Sequence, residues 1–302
     1  MSALAIVPLD PFRIPAYQAM TFPAYAPLFT QVGYGETSPL IARAAEVDGE
    51  PAGLALAWMP APGRAQWVSL FVRPAYRRQG IASRLAAGLE EAAAGRACGE
   101  LTVSFERGRP MRDVIEHLLA TRGYAAPRLR ALMCRVHDGG ARLKTAPWFY
   151  KTSMPASFEI FPWPELTAEE RRTIVERQTR APWYPSNLDP FGDEHIMEPI
   201  NSLGLRLNGE VIGWSITHRI FPDTIRYTYL FVREDLQPFG IAIPLLLASM
   251  RGQIDNPIIA TVPNATFKVP LTFGGMVKFL RGRMAPYVSE LNDIVDTVKP
   301  LG

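Results

Sequence analysis

The chain has 302 residues, about twice the usual length of one globular domain, so two domains or one large one is the starting expectation. Hydrophobic residues make up 48% and charged residues 20%, which supports packed cores, excludes a disordered or fibrous chain and leaves no apolar run near the roughly 18 residues of a membrane span. A net charge of +3 tolerates an anionic ligand but supplies no continuous basic stripe, which argues against a nucleic-acid groove.

In chain order, Ala3 to Val7 reads as a strand, Pro15 to Val32 as a helical stretch broken by prolines, and Leu40 to Val47 as a strand. Asp48-Gly49 is a hairpin turn that pairs this strand with Pro51 to Trp58. Ala65 to Val72 is a strand, Gly80 to Ala94 a helix by its Ile81, Leu85, Leu89 spacing, Glu100 to Ser104 a strand, Met111 to Thr121 a helix and Ala131 to Val136 a strand. Residues 141–156 form a linker whose Trp148-Phe149-Tyr150 predicts packing rather than a free tether. The order then recurs: strand at Phe158 to Phe161, helix at Ala168 to Thr179, hairpin at Asn208-Gly209, strand at Ile225 to Val232, helix at Gly240 to Arg251, strand at Pro257 to Val262.

The recurrence is also visible residue by residue. Val47 to Leu56 reads V-D-G-E-P-A-G-L-A-L and Leu207 to Ile216 reads L-N-G-E-V-I-G-W-S-I, an offset of 209 − 49 = 160. The same offset carries Trp67 to Ala82 onto Tyr227 to Ala242, and Arg122-Gly123-Tyr124-Ala125-Ala126-Pro127 meets Arg281-Gly282-Arg283-Met284-Ala285-Pro286 at an offset of 159. The chain reads as one domain written twice, residues 1–140 and 157–302.

The most informative stretch runs from Leu70 to Ala82 (L-F-V-R-P-A-Y-R-R-Q-G-I-A), a strand passing through a short loop into a helix. The first turn of a helix leaves N–H groups without partners at the positive end of its dipole, so it favours a phosphate. Gly80 and Ala82 let the backbone approach such a ligand, and Arg77 and Arg78 add charge.

This segment resembles the acyl-CoA loop of the GNAT acetyltransferase superfamily, pattern Q/R-x-x-G-x-G/A, with Arg77, Gly80 and Ala82 in the fixed positions. Arg122-Gly123-Tyr124 resembles the K-x-G-F that ends the family's fourth helix. The resemblance implies an α/β (α+β) fold of two tandem GNAT-like domains, each a mixed, mainly antiparallel sheet flanked by helices. It implies acetyl-CoA or another acyl-CoA as acyl donor, held by Phe71, Val72, Arg73, Arg77, Arg78, Gln79, Gly80, Ile81, Ala82 and Ser83. It further implies that the strand ending at Val72 bulges from its neighbour, and that the Val72 N–H faces the oxyanion.

The second copy, Gln237-Pro238-Phe239-Gly240-Ile241-Ala242, fits the pattern formally, but Pro238 removes a backbone donor and Phe239 replaces a polar residue, so it reads as a degenerate loop. The family's tyrosine acid, four residues before the helix-ending glycine, is Leu119 here and Lys278 in the second copy. The Trp67 to Val72 strand lacks a carboxylate where many relatives carry a glutamate base. His218 is the candidate base, weighed against a surface or satisfied core histidine; His117 and His195 read as surface residues, and no metal-ligand spacing is present. Trp183 and Tyr184, in a proline-stiffened aromatic loop from Ala181 to Phe191, are the candidates to line an acceptor pocket, against packing on their own domain or the interdomain seam.

These readings give an acyltransferase moving an acyl group, in the first place acetyl, from acyl-CoA to the amine of a small-molecule or amino-acid-like acceptor. The alternatives are a non-catalytic acyl-CoA-binding or assembly protein, and a GNAT-fold enzyme of altered chemistry such as decarboxylation or use of a carrier-protein or aminoacyl-tRNA donor. Cys98 and Cys134 match neither a disulfide scaffold nor a zinc site, and the N-terminus lacks the basic start of a signal peptide, so the expected compartment is the cytoplasm. Oligomeric state is left open.

Overall fold

Each half of the chain carries a tight hairpin at its Asx-Gly turn. In the computed structural model, which describes residues 3–32 and 38–302, Asp48 and Gly49 have φ of 52° and 84°, and Asn208 and Gly209 of 52° and 80°. Paired left-handed residues match the twist of the strands they join. The chain divides into two compact units, Met1–Arg130 with Ile294–Gly302, and Ala131–Asp293.

The first unit contains β1 (Leu4–Pro8), β2 (Leu40–Val47), β3 (Glu50–Ala61), β4 (Arg64–Val72) and β5 (Glu100–Glu106). Its last strand is the Ile294–Pro300 part of β12 (Glu290–Pro300), which pairs antiparallel with β5. The order is β1-β2-β3-β4-β5-β12, antiparallel except for the parallel pair β4 and β5. Helix α2 (Ile81–Ala94) buries Ile81, Leu85, Leu89 and Ala93 with Leu101 and Trp67, as its apolar spacing requires. Tyr17 of the short α1 (Ile14–Tyr17), with Met20 and Phe29 from 3-10 turns, packs on Leu54 and Leu56 in a separate cluster. The prolines explain why no long helix forms here: Pro27 lies inside the turn Pro23–Gln31. Helix α3 (Arg112–Thr121) completes the unit.

The second unit repeats this plan. Its order is β6-β11-β10-β9-β8-β7, from β6 (Arg128–Val136), β7 (Phe158–Pro162), β8 (Leu203–Leu207), β9 (Glu210–Phe221), β10 (Thr224–Val232) and β11 (Asn264–Pro270). Its helices are α4 (Ala141–Lys144), α5 (Ala168–Arg180), α6 (Ala242–Asp255) and α7 (Gly274–Phe279). A capping box between Thr167 and Glu170 starts α5. The Trp148 ring packs edge-on against Phe279 and Tyr287 while Phe149 is fully buried, so this segment is part of the core.

Two features depart from the sequence reading. Residues 257–262 form a turn, not a strand: Asn256 Oδ1 accepts from Ile258 N at 2.9 Å, its carbonyl accepts from Ala260 N at 2.8 Å, and β11 begins only at Asn264, after Pro263. Ile259 and Val262 are buried all the same, so a turn carries the apolar run. The outer strands are also exchanged between repeats. Ala131 to Val136, from the first repeat, pair with β11 in the second unit, and Ile294 to Pro300, from the second repeat, pair with β5 in the first.

What positions the site is the end of β4. Its parallel ladder with β5 runs from Arg64 opposite Glu100 to Trp67 opposite Val103 and stops. At that point Leu56 faces Ser69 and Ala57 faces Trp67, leaving Val68 as a bulge against β3. The second unit does the same: the ladder of β10 with β11 ends at Arg226, and Thr228 is the bulge, at 228 − 68 = 160.

Candidate functional site

From Val68 onward β4 keeps one neighbour. Arg73 N donates to Ala52 O at 2.9 Å, and alternation along an antiparallel ladder then turns the N–H groups of Leu70 and Val72 away from β3, to the side where β5 has stopped pairing. Val72 N–H, the candidate oxyanion donor, thus lies at the open side of a splayed pair of strands.

The chain leaves β4 through a 3-10 turn at Pro74–Tyr76 and enters α2 at Gly80. Arg78 and Gly80 both adopt positive φ, 62° and 75°. Among the described residues, the N–H groups of Arg78, Gln79, Gly80, Ile81, Ala82 and Ser83 have no hydrogen-bond acceptor; the first amide of the helix to be used is that of Arg84, which reaches Gly80 O at 3.1 Å. A consecutive run of free N–H groups at the positive end of a helix is a site built for an anion. The side chains of Arg73, Arg78 and Arg84 form no ion pair among the described residues, so the charge around the run is uncompensated.

Arg77 is placed differently from a charge donor. Its Nε donates to Val72 O at 3.1 Å, and the equivalent Gln237 donates from Nε2 to Val232 O at 2.8 Å. The first position of the pattern is therefore a strut between loop and strand end. Arginine and glutamine can both serve because each carries an N–H of the right reach.

The second loop closes on itself. Residues Glu234–Phe239 wind into a 3-10 helix, because Pro238 cannot take the left-handed conformation that Arg78 adopts. Gly240 N is spent on Gln237 O at 3.0 Å, Ile243 N on Gly240 O at 3.1 Å, and Pro244 has no N–H. Arg233 is tied to Asp235 at 2.7 Å and to Glu210 at 2.9 Å. The carboxylates of Glu234 and Asp235 stand where the first loop has Pro74 and Ala75. Of the first loop's run of six free donors only the N–H groups of Ile241 and Ala242 have counterparts among the described residues, and its positive charge is missing.

The remaining candidates are packed. His218 is fully buried on β9; Nδ1 lies 2.6 Å from Thr228 Oγ1 and Nε2 lies 3.1 Å from Gly192 O. Because a carbonyl can only accept, Nε2 carries the proton and Nδ1 accepts from the threonine. Burial pushes the imidazole pKa down, against the Gly192 hydrogen bond, and the ring has no free nitrogen. Trp183 and Tyr184 stack edge-on against Trp214 and Phe231, with Arg177 over the Trp183 ring at 4.6 Å, so the aromatic loop seals the core of its own unit. Trp183 also walls an open hollow of about 520 Å³ with Arg177, Arg233, Glu234 and Asp235. Leu119 is buried against α2, an aliphatic contact in the place of the family's acid.

One cluster escaped the sequence reading. Glu90, third turn of α2, is buried and accepts from Arg122 Nε at 2.8 Å, Arg122 Nη2 at 2.6 Å and Lys299 Nζ at 2.6 Å. Its only signal in sequence is a carboxylate set directly beside Leu89 on the apolar face of a helix.

A bulged, splayed central strand is present twice at a fixed offset, followed in the first copy by a helix start with free N–H groups, the arrangement that the GNAT resemblance implies. Residues 10–117 match the model of the Acetyltransferase (GNAT) family. That match lies within the first unit, and over its whole length the chain has the fold of tandem GNAT proteins. Among solved structures it is similar to the tandem GNAT protein from the clavulanic acid biosynthesis pathway (17% identity, TM-score 0.62, covering 99% of each chain). It is similar also to a GCN5-related N-acetyltransferase from Sphaerobacter thermophilus (16% identity, TM-score 0.62, 99% of this chain and 96% of that one). A third likeness is to the glucosamine N-acetyltransferase region of a fungal multi-domain β-N-acetylglucosaminidase (11% identity, TM-score 0.63, 98% of this chain and 38% of that one). Likeness at these identities concerns the fold. A search of the curated proteins finds no match. Among the described residues, no helix is long and apolar enough to cross a membrane.

Proposed function

We propose that the chain is an acyl-CoA-dependent N-acyltransferase whose first unit holds the donor, with acetyl as the acyl group and the amine of a small-molecule or amino-acid-like compound as acceptor. The observation that carries this reading is the run of free N–H groups from Arg78 to Ser83 at the end of the splayed strand β4. The pyrophosphate takes those donors, and the acyl arm enters between β4 and β5. The Val72 N–H then meets the carbonyl oxygen as negative charge develops on it during attack by the amine. Fixed backbone dipoles suit this step because they need no reorganisation when the charge appears. The acceptor amine must arrive unprotonated, and the CoA thiolate must gain a proton as it leaves. With Leu119 buried and both His218 nitrogens occupied, that proton comes from solvent or from the acceptor nitrogen, which becomes cationic on attack.

Leu119 also favours a second reading, an acyl-CoA-binding protein without turnover. Calorimetric titration with acetyl-CoA and thiol release against a panel of amines decide between them. Binding with release supports the enzyme; binding without release from any amine supports the second reading. Replacing Arg77 and Arg78 together with alanine removes the strut and the left-handed side chain, and is expected to weaken acetyl-CoA at least tenfold. Unchanged affinity would move the donor to the second unit.

A further inference from the structure

The free amides of the first helical turn are useful only if that turn is held still, and one charged chain in the first unit does the holding. The Arg122 side chain, from the end of α3, lies along α2: Nη1 donates to the Ser83 carbonyl at 3.2 Å and stands 3.5 Å from its Oγ, while Nε and Nη2 grip the Glu90 carboxylate. Ser83 and Glu90 are seven residues apart (90 − 83 = 7) and so share one face of the helix. The guanidinium thus pins the first turn to the third. Its own anchor, Glu90, is buried and shares its Oε2 between Arg122 Nη2 and Lys299 Nζ, and the Lys299 ammonium also stands 5.8 Å over the Tyr124 ring. Lys299 belongs to β12, paired opposite Leu101 of β5.

We infer that Arg122, Glu90 and Lys299 are positioning residues for the donor site: they fix the Ser83 turn so that its unpartnered N–H groups stay aimed at the pyrophosphate. The inference rests on the first unit being the donor site. None of the three touches the proposed ligand; each acts through Ser83. Lysine cannot replace Arg122, because a point ammonium reaches either Ser83 or Glu90, whereas the planar fork reaches both at once.

The test compares acetyl-CoA with S-acetylpantetheine, which lacks the phosphates. Arg122→Ala is expected to weaken acetyl-CoA about tenfold, and Arg122→Lys nearly as much, the scale of one lost charge-assisted hydrogen bond. Affinity for S-acetylpantetheine should stay within twofold, because the arm's contacts are on β4. Lys299→Met keeps the strand pairing and the apolar stem, so it serves if Arg122→Ala does not fold; its expected loss is about threefold, again for acetyl-CoA alone. Equal losses for both ligands mean a general structural role and overturn the inference, as does unchanged acetyl-CoA affinity in both variants. Failure of the unaltered protein to bind acetyl-CoA at all overturns the proposed donor site itself.

Discussion

Gly53 and Gly213 occupy one position of the repeat, and the structure shows what holds them as glycine. A Cβ on Gly53 would lie 2.7 Å from Phe71 O, 3.0 Å from a Leu85 methyl and 3.5 Å from Val72 Cα; on Gly213 it would lie 2.6 Å from Phe231 O and 3.2 Å from Val232 Cα. The carbonyl in each case belongs to the central strand and cannot move without carrying the strand along. Overpacking of this kind costs about 1–3 kcal/mol. Taking about 2 kcal/mol, and a urea dependence of about 2 kcal/mol per M, Gly53→Ala and Gly213→Ala should each lower a unit's unfolding midpoint by about 1 M. The two replacements should part company on binding. Shifting Phe71 and Val72 disturbs the strand end proposed to meet the acyl carbonyl, so Gly53→Ala should weaken acetyl-CoA severalfold, and Gly213→Ala should leave it unchanged. Urea unfolding followed by circular dichroism, together with calorimetry, reads both effects. Unaltered midpoints would refute the steric argument; equal binding losses would refute the assignment of the site to the first unit.

Glu90 gives a pH signature. Burial pushes its carboxyl pKa up, but hydrogen bonds from Arg122 and Lys299 outweigh that and hold it below the usual range. A carboxyl lowered on folding adds stability at pH values above its unfolded pKa and loses that contribution as pH falls through the folded one. Glu90→Gln should therefore cost roughly 3 kcal/mol at neutral pH, with a gap to the unaltered protein that narrows below about pH 4; a gap constant with pH would show that the charge is not what stabilises. The thiols give a reactivity signature. Cys134 is fully buried, with its pKa pushed up to about 12, and burial also raises Cys98. Neither should react with a disulfide reagent in the native protein at mildly alkaline pH, and both should react in denaturant; fast native labelling of either would contradict the packing described.

Local signals made the repeat readable. Asx-Gly turns, a period of two flanking them and a glycine-bearing loop after a strand were visible because each depends on residues close in sequence. Pro257 to Val262 misled because a buried turn and a buried strand present the same apolar residues. The strand exchange was invisible for a different reason: Ala131 to Val136 and Ile294 to Val298 are both ordinary apolar-rich strands, and nothing in either says which edge it joins. Arg77 shows the limit at the site. Its place in the pattern was plain, but its use as a strut to Val72 O is a matter of side-chain direction, and the matching Gln237 bond gives it meaning only in three dimensions. Glu90 and Lys299 stand 299 − 90 = 209 residues apart, beyond any spacing argument.

The exchanged strand also sets a clock. The edge of β5 is complete at Glu106, yet the strand that covers it begins at Ile294, 294 − 106 = 188 residues later. At roughly 5–20 residues per second of synthesis, the unit bearing the splayed strand waits about 10–40 s on the ribosome with a bare sheet edge. For that interval the nascent chain displays unpaired backbone to its neighbours on the same message, the situation in which chaperone holding matters most. The half of the protein that is translated first is the half that is finished last.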